Sequence, residues 1–128
     1  MKEVKRLPDS EFDVMNAIWE IQGPVNSNMV MDMLDGTKKW KIQTIISLMM
    51  RLVDKGFLTT EKKGKDRLFY PEIKREEYLK FETDNFIDKF YDNSALSLVN
   101  TLYRRKNLND KDIEELAAWL RDRGKENE

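Results

Sequence analysis

Residues 41–71 read KIQTIISLMMRLVDKGFLTTEKKGKDRLFYP, and two periodicities meet inside this stretch. Over 41–55, Ile42, Ile45, Leu48, Met49, Leu52 and Val53 recur at the spacing of one helix face. Gly56 follows where helices commonly close on a residue with left-handed backbone. Beyond it, Phe57-Leu58-Thr59-Thr60-Glu61 and Arg67-Leu68-Phe69-Tyr70 are β-prone runs joined by the charged, glycine-containing segment Lys62–Asp66. That pattern predicts an antiparallel hairpin whose second strand ends at Pro71.

Upstream, Pro8 introduces a helix with Phe12, Met15, Ile18 and Trp19 at helical spacing, and Gly23-Pro24 stops it. Asn26 can cap a second, short helix with Met29, Val30, Met33 and Leu34 along one side, ended by Asp35-Gly36. From Lys74 the chain has helical character to its end, with the last five residues read as frayed. Leu79, Phe86 and Phe90 lie on one helix, and Leu96, Val99, Leu102 and Tyr103 on another capped near Asn93-Ser94. Ile113, Leu116, Ala117 and Leu120 lie on a last one, with Asn109 as cap and Asp112 completing a variant capping box.

Helix, helix, helix, hairpin, then helices predicts a mainly α chain with a small β-hairpin. Residues 1–72 read as a winged helix-turn-helix, and residues 73–128 as a helical dimerisation domain. The tail holds more amphipathic helix than the first domain needs. Its candidates for a homodimer contact are Phe86, Phe90, Leu98, Val99, Leu102 and Leu116; the alternative is that some of them form the core of a monomeric helical unit.

The 128 residues are 37% charged and 40% hydrophobic, which fits one globular domain or two small cooperating units. There is no cysteine and no histidine, so disulfides, thiolate metal sites, cysteine nucleophiles and histidine acid–base chemistry are excluded. No glycine-rich phosphate loop and no metal-spaced carboxylates are present, so neither an enzyme nor a metal or cofactor site is expected. Asp110, Asp112, Glu114 and Glu115 read instead as charge complementing a helix N-terminus. No apolar run approaches the ~20 residues of a membrane helix, and Met1–Arg6 leads into no signal core. The expectation is a cytoplasmic protein without membrane insertion.

The net charge of −1 is a sum of unlike parts. Residues 1–35 hold three basic and seven acidic side chains, a net of −4. Residues 36–70 hold nine basic and three acidic, a net of +6, and residues 71–128 eleven and fourteen, a net of −3. A basic segment inside an acidic chain is the usual footprint of phosphate contact.

Projected at about 100° per residue with Ile45 at zero, the predicted third helix separates its faces. Its apolar set lies within about 80° of that origin. Gln43, Ser47, Arg51 and Thr44 fall at about 160°, 200°, 240° and 260°, with Met50 also outward and Ile46 on the flank at about 100°. Gln43, Thr44 and Ser47 are base-reading candidates, because the N-terminal part of such a helix usually reaches base edges and glutamine can pair bidentately with adenine. Ile46 can touch a thymine methyl, or simply pack against a neighbouring element. Arg51 reads as a phosphate clamp, with Lys41 and Lys55 near opposite helix ends. Lys62, Lys63, Lys65 and Arg67 place further cations on the hairpin, where the alternative role is solubility.

These residues also carry a resemblance. Glu11-Phe12-Asp13-Val14-Met15-Asn16-Ala17-Ile18-Trp19 resembles the E-W-x-V-M-x-x-x-W opening of the penicillinase-repressor family (BlaI/MecI/CopY type). Trp40 through Leu52 resembles its recognition segment, and Lys55-Gly56-Phe57-Leu58 the K-G-[FL]-[IL] that follows. Ser97-Leu98-Val99 and Leu108 through Leu116 resemble its C-terminal S-L-V and L-S-x-x-E-I-E-E-L. The likeness spans essentially the whole chain, and it lies in the joint order of the motifs rather than in any one of them. It implies a homodimeric repressor that occludes an inverted-repeat operator of double-stranded DNA, with half-sites of TACA type. In the antibiotic-resistance branch, a sensor–transducer protease system triggers cleavage in the C-terminal domain and so releases the operator.

Three departures bear on that implication. Thr101-Leu102 stands where the antibiotic branch has its Asn-Phe cleavage bond. The cysteine hook of the copper-responsive branch is absent. Gln43 and Ile46 replace basic residues of the methicillin-type repressor, which points to a different operator. The competing reading is a winged-helix docking module for another protein. The +6 segment and the Gln/Thr/Ser/Arg face argue against it.

Overall fold

The structure, a computed structural model, describes residues 4–126. Residues 1–3 and 127–128, which begin the N-terminus read as free of a signal core and end the tail read as frayed, lie outside the described residues. The elements are α1 (Asp9–Ile21), α2 (Ser27–Leu34), α3 (Ile42–Asp54), β1 (Leu58–Lys63), β2 (Asp66–Pro71), α4 (Arg75–Tyr91), α5 (Ala95–Arg104) and α6 (Asp110–Glu126). α6 therefore carries on into the stretch read as frayed. The chain divides into two compact units, one ending at Glu82 and the other beginning at Thr83.

Local chemistry sets the helix ends. Asn26 accepts the Met29 N–H through Oδ1 at 2.9 Å, and Ser94 caps α5 by accepting the Ser97 N–H. Asn109 and Asp112 exchange reciprocal bonds at the start of α6, 2.8 and 3.2 Å. α3 closes on Gly56 at φ +83, with Gly56 N–H to the Val53 carbonyl and Phe57 N–H to the Leu52 carbonyl. Those two bonds make a Schellman motif, which needs the left-handed backbone that glycine adopts without strain.

In the first unit, α1, α2 and α3 pack around Val14, Met15, Ile18, Val30, Leu34 and the α3 stripe Ile45, Leu48, Met49 and Leu52, all buried. Met29 and Met33, read with Val30 and Leu34 as one side of α2, are exposed. A helix as short as α2 presses only a narrow stripe on its neighbours, which Val30 and Leu34 fill. β1 and β2 pair antiparallel from Leu58 opposite Pro71 to Lys63 opposite Asp66. The strands run further than the sequence pattern suggests. Lys62 and Lys63 belong to β1, the turn shrinks to Gly64-Lys65 with Gly64 at φ +63, and Pro71 is the last strand residue. Glycine at the first position of a two-residue hairpin turn supplies the backbone that matches the strand twist. Val25 adds a single antiparallel bridge to Phe69.

Ile73 and Tyr78 complete this core beyond the boundary drawn at residue 72. Tyr78 is fully buried among Phe12, Trp19, Phe57 and Phe81, with ring centroids 5.6–6.0 Å away. Its hydroxyl accepts the Leu7 N–H at 2.8 Å and donates to Glu82 Oε2 at 2.8 Å. Burial, with Glu82 beside it, pushes this phenol up to about 12. Trp19 Nε1 donates to the Ile73 carbonyl at 2.9 Å, so the indole too is satisfied.

The second unit is built differently. None of its described side chains is buried, and Phe86, Phe90, Leu96, Tyr103, Trp119 and Leu120 are all exposed. Among the described residues no helix is long and apolar enough to cross a membrane.

Candidate nucleic-acid interface

The site is built on α3. Its buried stripe fixes the helix rotation, and everything off that stripe is left outward. Gln43, Thr44, Ile46, Ser47, Met50 and Arg51 are all exposed. The side chains of Gln43, Thr44, Ser47 and Arg51 make no hydrogen bond or ion pair to another described residue. Ile46 is 39% exposed, at the edge of this face. Ile42 and Val53, at the stripe's edges, are half-buried.

The end of α3 that begins this face is electropositive. Lys41 occupies the cap position without a side-chain bond, and the first turn holds no carboxylate. Oriented peptide dipoles there complement negative charge. Lys39 and Lys41 lie beside it, both exposed. Lys39 was not singled out in the sequence; its place in the Lys38–Lys41 run was the available signal. Lys38 is held by Asp13 at 3.5 Å and stacks its ammonium over Trp40.

Lys55 is engaged within the protein. It is half-buried and bonded to Glu11, which is only 3% exposed. This pair ties the far end of α3 to the first turn of α1. Breaking it would leave a carboxylate in a dry place, which is strongly unfavourable. Lys55 thus helps hold the helix that presents the face, and its ammonium is already engaged.

On the hairpin, Lys62, Lys65 and Arg67 are exposed, and Lys63 lies 3.4 Å from the Glu61 carboxylate. Bonds from the Tyr70 hydroxyl and from Lys63 hold the Glu61 carboxyl below its ordinary range. The same contact holds the Lys63 ammonium above its own.

Within the second unit, the candidate dimer residues fall into separate sets. Phe86 and Phe90 sit on α4 with ring centroids 5.2 Å apart. Val99 and Leu116 join Leu96, Tyr103, Leu108 and Ile113 around a groove of about 560 Å³ between α5 and α6. Leu98 and Leu102 are half-buried and lie outside its lining. The Thr101–Leu102 bond falls inside α5, where Thr101 Oγ1 donates to the Ser97 carbonyl at 3.0 Å. Among the described residues, no group of His, Cys, Asp or Glu side chains has the arrangement of a metal site.

The profile of a family described as penicillinase repressor matches residues 7–122. The penicillinase repressor of Bacillus licheniformis is 30% identical over 120 residues, covering 94% of this chain and 93% of that protein. The solution structure of the DNA-binding domain of the repressor BlaI is 33% identical, with a TM-score of 0.52, and covers 61% of this chain and 94% of that one. The B. licheniformis BlaI monomeric form, solved in complex with the blaP half-operator, matches at 33% identity and a TM-score of 0.50, again over 61% and 94%.

Proposed function

The chain belongs to the penicillinase repressor family, and from that premise we propose that it is a dimeric transcriptional repressor that occludes an inverted-repeat DNA operator. The N-terminal unit has the winged-helix fold of the BlaI DNA-binding domain. The family is one of repressors rather than enzymes. The observation that carries the reading is the outward face of α3, where four polar side chains have no hydrogen-bond or ion-pair partner among the described residues while the opposite face is buried.

In this mechanism α3 enters the major groove. Gln43, Thr44, Ile46 and Ser47 meet base edges, and Lys41 and Arg51 meet flanking phosphates. The hairpin lies alongside as the wing. One unit presents a small reading face and binds weakly. Two units joined through their C-terminal regions gain effective concentration on paired half-sites. The exposed apolar side chains of α4, α5 and α6 support a second copy of the chain as the joining partner. Whatever separates the two copies releases the operator without touching the reading helix. Cleavage at Thr101–Leu102 by a partner protease is one such route, and it requires α5 to unwind locally because the bond lies within the helix.

The test is selection of bound duplexes from a random pool, followed by affinity measurement at fixed salt. Arg51→Ala should weaken binding to every sequence and reduce the salt slope by about 1. Gln43→Ala should lose about 1–3 kcal/mol on the selected sequence and relax preference at one position. A Gln43→Ala variant with unchanged affinity and preference overturns the base-reading assignment.

A further inference from the structure

The hairpin sorts its cations by strand parity. Side chains alternate faces along a strand. The register sets Leu58 opposite Pro71, Thr60 opposite Phe69 and Lys62 opposite Arg67 on one face. Thr59 with Tyr70, Glu61 with Leu68 and Lys63 with Asp66 share the other. The two faces hold very different charge.

The face of Lys63 is internally balanced. Glu61 accepts from the Tyr70 hydroxyl and pairs with Lys63. The face of Lys62 begins at the core with buried Leu58 and Phe69 and ends, near the turn, in two cations directly opposed. Opposed residues of an antiparallel pair stand about 4.5–5.5 Å apart at Cβ, and like charges there destabilise the hairpin. Neither Lys62 nor Arg67 forms an ion pair with a described residue. Arg67 is also steered. Its Nη1 donates to Thr60 Oγ1 at 3.4 Å, and that hydroxyl donates to the Leu68 carbonyl at 2.9 Å. The arrangement is two uncompensated cations on one face, one of them held by a neighbour, with an anion as the missing element.

We propose that the Lys62–Arg67 cross-strand pair is the wing's clamp for the phosphate backbone of duplex DNA, and that Lys63, one residue away, takes no part in it. The proposal rests on the DNA-binding reading above and deepens it. A phosphodiester between the two cations relieves their repulsion and accepts from both. Lys63 is already paired with Glu61, so it neutralises no phosphate and displaces no counter-ion from the DNA.

Counter-ion release supplies the readout, because each phosphate neutralised contributes about 0.9 to the slope of log affinity against log salt. The full-length chain is titrated into a labelled mixed-sequence duplex by fluorescence anisotropy across a salt series. Phosphate contacts do not depend on sequence, so no operator is needed. Lys62→Ala and Arg67→Ala should each flatten the slope, and the double variant K62A/R67A should flatten it by about 0.9 per wing engaged. The double variant E61Q/K63A removes one charge of each sign and should keep the wild-type slope and affinity. All four positions are exposed, and an unchanged melting temperature verifies each fold. If E61Q/K63A flattens the slope as much as Lys62→Ala, or if Lys62→Ala and Arg67→Ala keep the wild-type slope, the clamp is wrong while DNA binding stands. If the wild-type chain binds no duplex at any salt, the DNA-binding reading falls and the clamp with it.

Discussion

The two units of the chain use apolar residues in opposite ways. Up to Tyr78, the large side chains Met15, Ile18, Met49, Phe57 and Phe69 are closed off from water. After Thr83, Phe90 is 62% exposed and Leu96 79%, and no described side chain is buried. Both units are amphipathic in sequence, and α3 and α5 have similarly clean apolar faces. The difference lies in what covers those faces. α3 is covered by α1, α2 and the root of the hairpin, whereas α5 is left with an open groove. The first unit is therefore complete as it stands. The second leaves large apolar side chains in water, the kind of surface that on soluble chains usually marks a site of association, which fits the joining role proposed for it.

Substitutions can set the two units against each other. The largest effect is expected from Tyr78→Ala, which empties an aromatic cluster of four neighbouring rings and strands the Leu7 N–H. Chemical denaturation should show a loss of about 3–5 kcal/mol in the first unit, with self-association through the second unit preserved. The same residue has a pH signature. Its phenol is raised to about 12 in the folded state, from an ordinary value near 10. The stabilisation from neutral Tyr78 is thus complete below about pH 10 and lost as pH rises towards 12. Tyr78→Phe should flatten that window in an alkaline denaturation series.

A smaller loss is expected from Lys55→Met. Removing the ammonium leaves Glu11 buried and unpaired. The cost should be roughly 2–3 kcal/mol by denaturation, below the ~3–5 kcal/mol of a fully buried pair because Lys55 keeps part of its side chain in water. The salt slope of DNA binding should stay at its wild-type value, since that ammonium is already paired with Glu11. A flattened slope at unchanged stability would return Lys55 to the phosphate contacts.

The smallest effect concerns the open unit. Val99→Asp places a charge in the α5–α6 groove, where folding has buried little. The thermal stability of the first unit should hardly change, while sedimentation should show self-association weakened about tenfold, ~1.4 kcal/mol. A chain that is monomeric at micromolar concentration before any substitution would remove the joining role proposed for the second unit.

Much of this architecture was legible in the sequence because its signals are local. Asn26, Ser94 and the Asn109–Asp112 pair act on backbone groups three residues away. Gly56 acts on the helix turn just before it. The α3 stripe shows in the sequence as a repeat, and the exposed face follows from it by subtraction. The sequence therefore placed Gln43, Thr44, Ser47 and Arg51 outward before any coordinates.

Other features join residues that no periodicity connects. Tyr78 reaches Leu7 across 71 residues, and Lys55 reaches Glu11 across 44. Lys62 and Lys63 look equivalent as neighbours in a charged run. They part only when the strand extends through both and sets one beside Glu61 and the other opposite Arg67. The sequence by itself determined the helices, their caps, the hairpin and the outward face of α3, because hydrophobic period and capping act within one or two turns of chain. Only the tertiary structure decided which cations are already neutralised, where the first core ends and which apolar faces stay open, because burial and ion pairing depend on what the folded chain brings alongside.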